Sequence, residues 1–184
     1  MNKDRFCAIT DGIVAIAATI MVLELKIPNE ITLNALLSEW SVLVAYIVSF
    51  MVIYFSWYAH HNLIETIKNY SSGLFLINGL WLFFLTLVPF VTALIGKDLN
   101  NTLSMNLYSL VYFLWTLSFQ ALSYKAIQDN PKQKDEILFS KKYILIANFI
   151  DILSIILSFF YPIISLLIIT LVTIYMAFDL FYDK

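Results

Sequence analysis

Six apolar stretches, each about as long as the hydrocarbon core of a bilayer is thick, take up nearly all of this 184-residue chain. A helix needs roughly 20 consecutive apolar residues to cross that core, and backbone amides in lipid must find their partners inside the protein. Six such crossings joined by short loops leave no length for a separate soluble domain. Composition agrees: 61% of residues are hydrophobic and 13% charged, against about 25% charged in an ordinary soluble domain. The expected fold class is therefore an all-α integral membrane protein, a single domain over 1–184 with six transmembrane helices near 5–25, 35–63, 74–95, 107–124, 143–160 and 162–181.

Lysine and arginine set the orientation. With both termini on one side, that side holds Lys3, Arg5, Lys68, Lys125, Lys132, Lys134, Lys141, Lys142 and Lys184, and the other holds only Lys26 and Lys97. The positively charged side is the cytoplasmic one, so both termini are expected inside and the chain in the plasma membrane. A net charge of −2 gives no reason to expect a nucleic-acid partner. Cys7 is the single cysteine and excludes an intrachain disulfide. The sequence has no Gly-rich phosphate loop, Cys-x-x-Cys, HExxH or nucleophile elbow. An enzyme and a cofactor are accordingly not expected. Nor is there a TVGYG filter, so if ions pass, side chains must sort them.

The first stretch, Arg5 to Pro28, is the least ordinary of the six, because Asp11 and Thr19 lie inside it and Arg5 at its mouth. An intramembrane carboxylate is costly and normally faces a partner or water. The small residues of this stretch lie in its middle rather than before a cleavage point, which reads as a retained helix and not a signal peptide. On a helix, Gly12, Ile16, Ile20 and Leu23 share one face with Thr19 beside them, and Ala8, Ala15, Ala18 and Val22 form a second stripe of smaller residues. Periodicity alone sends the first stripe to lipid or a packed neighbour, and lets the second admit another helix closely.

Asp11, the pair His60 and His61, and Asn78 all belong near the cytoplasmic end of their helices, which suggests a hydrogen-bonded polar cluster. Arg5 is about 240° around the helix from Asp11 and is expected to meet a different element. A structural cluster and a direct role in ion binding or proton relay both stay open at this point. Adjacent histidines point about 100° apart and have no third ligand at suitable spacing, so no metal site is expected. Asn148 and Asp151 in the fifth stretch and Asp179 in the sixth are further polar groups, expected to hydrogen-bond between helices.

The run Arg5, Ile9, Thr10, Asp11 and then Thr19 resembles the Arg-x-x-x-aromatic-Ser-Asp opening helix of the transmembrane protein 175 family, potassium channels of endolysosomes and of bacteria. The resemblance continues through Trp57 with His60 and His61, and through Leu87, Val88, Pro89 and Phe90. Ile9 stands where the family usually has Phe, and Thr10 where it usually has Ser. The resemblance implies a homotetramer with the first helix of each subunit lining a central pore. It also implies a hydrophobic constriction at Ile16 with Thr19 beside it, which Ile20 and Leu23 extend by helical spacing. Arg5, Thr10, Asp11, Trp57, His60, His61 and Asn78 form the expected structural polar cluster, and K⁺, favoured over Na⁺, is the expected permeant ion. A proton-coupled or small-solute transporter using Asp11, His60 and His61 as relay is the competing reading.

Overall fold

The computed structural model describes residues 3–25, 28–29, 31–134 and 141–182, the side chains of 141–143 and 176–182 excepted. Lys26, Asp135, Glu136 and Lys184 lie outside the described residues, as do the side chains of Lys141, Lys142 and Asp179. Among the described residues the chain forms seven α-helices: α1 (Lys3–Val22), α2 (Leu33–Ser38), α3 (Trp40–Thr66), α4 (Ser72–Lys97), α5 (Thr102–Asp129), α6 (Lys141–Ser158) and α7 (Pro162–Tyr182). A 3₁₀ turn, Pro131–Gln133, follows α5.

Capping chemistry sets several of these boundaries. Thr32, Ser71 and Asn101 each turn a side-chain oxygen onto a backbone N–H three residues on, starting α2, α4 and α5. Such a cap satisfies one of the four amides that the first turn of a helix leaves unbonded. Pro162 opens α7, where its missing N–H removes nothing from the helical ladder. At the far end of α1, Leu23, Glu24 and Leu25 bond back three residues rather than four, so the helix tightens into a last 3₁₀-type turn.

Two boundaries differ from the sequence expectation in ways physics explains. The single second helix expected near 35–63 is instead two, because Glu39 sits at φ −89°, ψ 15° between α2 and α3. Its N–H closes the end of α2 on Leu36, and its carbonyl accepts from Val42 and Leu43 to open α3. The fourth helix, expected over 107–124, runs from Thr102 to Asp129. Apolar runs mark only the part of a helix at lipid depth, whereas this one winds on through polar residues at both ends.

Among the described residues, α1, α3 and α4 are long and apolar enough to cross a membrane, and α6 and α7 hold the shorter apolar stretches Ile144–Ser158 and Pro162–Tyr175. The main core is built around α4, whose Trp81, Leu85, Val88 and Ile95 are buried against α1, α3 and α5. Gly96 lets α3 and α4 approach closely: a Cβ there would stand 3.4 Å from the Val42 backbone. A second, smaller cluster at the opposite end packs Phe6 against Leu63, Ile64, Leu74 and Leu122.

The turn between α3 and α4 is fastened to the end of α5. Asn130 Oδ1 accepts from the Lys68 and Asn69 amides at 3.0 and 2.7 Å. Its Nδ2 donates to the Asn69 and Ala126 carbonyls. Nearby, Asp129 pairs with Lys125 at 2.6 Å and accepts from the Ser71 hydroxyl. One amide side chain thereby satisfies backbone groups of both the turn and the end of α5.

Candidate functional site

α1 has two faces with different fates. Phe6, Thr10, Val14, Ala17 and Met21 recur every three or four residues and are buried, as a helix laid along a protein surface requires. The opposite face is open: Ile16 is 59% exposed, Leu23 77%, and Thr19 and Ile20 are exposed between them. The small stripe is also left uncovered, since Ala8, Ala15 and Val22 are exposed and Ala18 is half-buried. Close approach by α3 and α4 therefore uses the stripe of Phe6, Val14 and Ala17 instead.

The Thr19 hydroxyl lies 2.8 Å from the Ala15 carbonyl and 2.9 Å from that of Ile16. Its hydrogen is directed back into its own helix, which leaves the oxygen lone pairs as the outward polar feature of an otherwise aliphatic face.

Beside the core, α1 is held at two levels. At the first, Asn78 Nδ2 donates to Thr10 Oγ1 at 3.1 Å, and Asn78 Oδ1 faces His60 Nε2 at 2.7 Å. An amide oxygen only accepts, so His60 carries its proton on Nε2 and donates. The imidazole is stacked between two rings: Trp81 at 4.5 Å, with 16° between planes, and Phe6 at 6.2 Å, with 10°. All three members of this relay, Thr10, Asn78 and His60, are buried. At the second level, Thr92 Oγ1 lies 2.7 Å from Ser49 Oγ and 3.8 Å from Met21 Sδ, and Ser49 in turn meets the Tyr108 hydroxyl at 3.1 Å.

The single polar cluster expected from the sequence is thus divided. Thr10, Asn78 and His60 form the buried part. Asp11, which is exposed, and Trp57, which is half-buried against the core, form a separate pair, the indole N–H donating to the carboxylate at 2.8 Å. His61 is exposed and lies beside the Trp57 ring, 5.7 Å between centroids. Arg5 is exposed, and among the described residues no hydrogen bond joins it to either part; its neighbour Lys3 pairs with Glu65 at 2.8 Å. The two histidines diverge as consecutive helical residues must, and among the described residues no group of three His, Cys, Asp or Glu could hold a metal ion.

Sequence reading missed Phe6, Trp81, Ser49, Thr92 and Tyr108, all of them buried around α1. Phe6 had one available signal, its place four residues before Thr10 on the same helical face. The others become neighbours only through helix packing.

Further out, α5, α6 and α7 share a polar seam. Gln120 and Asn148 exchange amide hydrogen bonds at 2.9 and 3.2 Å. Ser165 meets Ser109 at 2.9 Å and Ser154 at 2.8 Å. Asp151 is buried in α6 and, contrary to the inter-helix bonding expected of it, makes no hydrogen bond among the described residues.

Residues 5–89 match the sequence profile described as endosomal/lysosomal potassium channel TMEM175. A potassium channel of Chryseobacterium sp. (strain P1-3) is 34% identical over 170 residues, 90% of this chain and 88% of that protein. A potassium channel of Streptomyces collinus is 34% identical over 66% of this chain and 64% of its own. Among solved structures, the crystal structure of a lysosomal potassium-selective channel TMEM175 homolog from Chamaesiphon minutus aligns with a TM-score of 0.86. That alignment has 28% identity and covers 97% of this chain and 98% of the other.

Proposed function

We propose, for a chain that belongs to the TMEM175 family, that it forms a potassium channel whose pore is lined by α1. Four copies assemble around an axis in this reading, each crossing the plasma membrane six times with both termini cytoplasmic. The observation that carries it is the open face of α1, where Ile16, Thr19, Ile20 and Leu23 are exposed on the side opposite the buried stripe. The same open face continues into a groove between α1 and α4, which Ile13, Ile16, Ile20 and Glu24 border from α1 and Thr86, Pro89, Phe90 and Ala93 from α4.

A ring of Ile16 side chains would close the pore by excluding water, and would have to widen before ions pass. Helical carbonyls are committed to the helix itself, so the polar ligands at this level are Thr19 oxygens and water. Their lone pairs face outward because the hydroxyl hydrogen is spent on Ala15 or Ile16. Selection of K⁺ over Na⁺ then rests on narrowness and partial dehydration, since K⁺ gives up its water at lower cost.

The test is ion flux through purified protein in liposomes. Ile16→Asn should raise K⁺ flux and Thr19→Ala should lower the preference for K⁺ over Na⁺. If both variants leave flux and preference unchanged, α1 does not line the pore. The relay reading draws no support from the site, where His60 bonds to Asn78 and Asp11 bonds to Trp57, so no hydrogen bond joins the carboxylate to either imidazole.

A further inference from the structure

The two flanks of α1 carry different surfaces. Asp11 and Ile20 are nine positions apart, about 180° around a helix of 3.6 residues per turn. On the Asp11 flank, Trp57 begins a row of rings along α3: Tyr54, Phe50 and Tyr46 follow at centroid separations of 6.1, 6.4 and 6.0 Å. On the Ile20 flank runs the groove between α1 and α4, with Thr86, Pro89, Phe90 and Ala93 on its α4 side.

Row and groove share a depth. α3 and α4 run antiparallel and are registered by Ser49 against Thr92 and His60 against Asn78. Stepping along both helices from these contacts sets Tyr54 level with Thr86, Phe50 with Phe90, and Tyr46 with Ala93. Glu24 joins Ala93 in bordering the groove at this outermost level. The chemistry changes in step: the two phenols of the row stand where the groove has a hydroxyl and a carboxylate, and Phe50 stands where it has the Phe90 ring.

We propose that the ring row of one copy seats in the groove between α1 and α4 of the next, so that each subunit shows a different face to each of its two neighbours. A heterologous contact of this kind generates a ring if the rotation closes. Rotation about the membrane normal leaves depth unchanged, as the shared levels require. The contact presupposes the α1-lined pore proposed above and adds which surfaces meet around it.

Tyr54 favours protein over lipid as the occupant. It lies midway along the 27-residue α3, is 50% exposed, and its hydroxyl has no partner among the described residues. A hydroxyl left in hydrocarbon forgoes its hydrogen bond at a cost, and Tyr in lipid belongs at the headgroup level rather than at mid-span. Thr86 is exposed and directs its own hydrogen to the Phe83 carbonyl at 2.7 Å, which leaves its oxygen as an acceptor for that phenol. At the outer level, the exposed Glu24 carboxylate is the acceptor for Tyr46. With Ile13 and Ile20 covered from the groove side, Ile16, Thr19 and Leu23 are left to the axis.

The test is mixed cross-linking in a Cys7→Ser background. Two full-length chains with different tags are co-expressed, one carrying Phe50→Cys and the other Phe90→Cys, and their membranes are treated with a short bis-methanethiosulfonate reagent. Non-reducing gels should show a shift from monomer to a dimer that carries both tags. Tyr54→Cys with Thr86→Cys should shift likewise, and serves as the second pair should a phenylalanine variant fail to fold. Phe50→Cys with Leu76→Cys should stay monomeric, since Leu76 is exposed on α4 but about 21 Å along the helix from Phe90. Dimers from one variant expressed alone would mean that like faces meet, and dimers from the mismatched pair would mean that the levels do not register; either overturns the proposal. No dimer from either matched pair overturns it too. If that result comes while Ile16→Asn still raises K⁺ flux, this interface fails and the pore reading stands.

Discussion

The Trp57 indole donates to the Asp11 carboxylate across 2.8 Å, tying α3 to α1 on a side of the helix that the core does not cover. A hydrogen bond to a charged acceptor is stronger than one between neutral groups. Its exposure reduces that advantage. Trp57→Phe keeps the ring and removes the donor, and should lower stability by about 1 kcal/mol. Thermal unfolding in detergent reads this directly, and an unchanged midpoint would mean the pair does not fasten α1.

The buried relay should be costlier to break. Asn78→Leu strips partners from both Thr10 and His60, leaving two buried polar groups unmet at roughly 1–3 kcal/mol each. Thr10→Ala removes only the last link and should cost less. The two substitutions should also be non-additive, since they share one network. A double-mutant cycle that sums to within about 0.3 kcal/mol would contradict the relay.

Thr19 separates shape from chemistry. Thr19→Val keeps the branched outline without the oxygen, and Thr19→Ser keeps the oxygen without the methyl. If lone pairs aimed from this face assist K⁺, Thr19→Ser should hold most of the K⁺ preference and Thr19→Val should lose it, in paired K⁺ and Na⁺ liposome fluxes. Equal preference in the two variants would assign the effect to width alone.

Asn130 predicts a local effect with no consequence for α1. Its side chain receives the Lys68 and Asn69 amides, so Asn130→Ala should raise hydrogen exchange in the turn between α3 and α4 by about tenfold, the equivalent of one lost hydrogen bond. Exchange measured by mass spectrometry over 66–72 should rise while that over α1 stays flat. Protection retained in the turn would show that the Asp129 contacts hold it unaided.

The helices were largely legible because lipid length and polar breaks leave few alternatives. The faces were less so. Apolar side chains occupy every side of α1, and periodicity distinguishes polar from apolar but not protein from lipid, so Ala17 and Ala18 look alike in sequence while one is buried and the other only partly. His60 and Asn78 could be placed at the same depth by counting spans, and they do bond. Arg5 could not be placed that way, because depth says nothing about direction around the axis. The Ser49, Thr92 and Tyr108 contact was beyond reach for another reason: each is a single hydroxyl on a different helix, with no spacing to connect them.

α1 is one helix thick, roughly 10–12 Å with its side chains, and nothing else separates Met21 on its buried side from Ile20 on its open one. The helix is a partition wall without insulation. Because its two sides alternate every three or four residues, neighbours in sequence answer to different masters, one to the interior of the subunit and the next to whatever lies beyond it. A substitution scan along Phe6 to Leu23 should therefore read as two interleaved scores, with folding defects on one beat and open-face defects on the other.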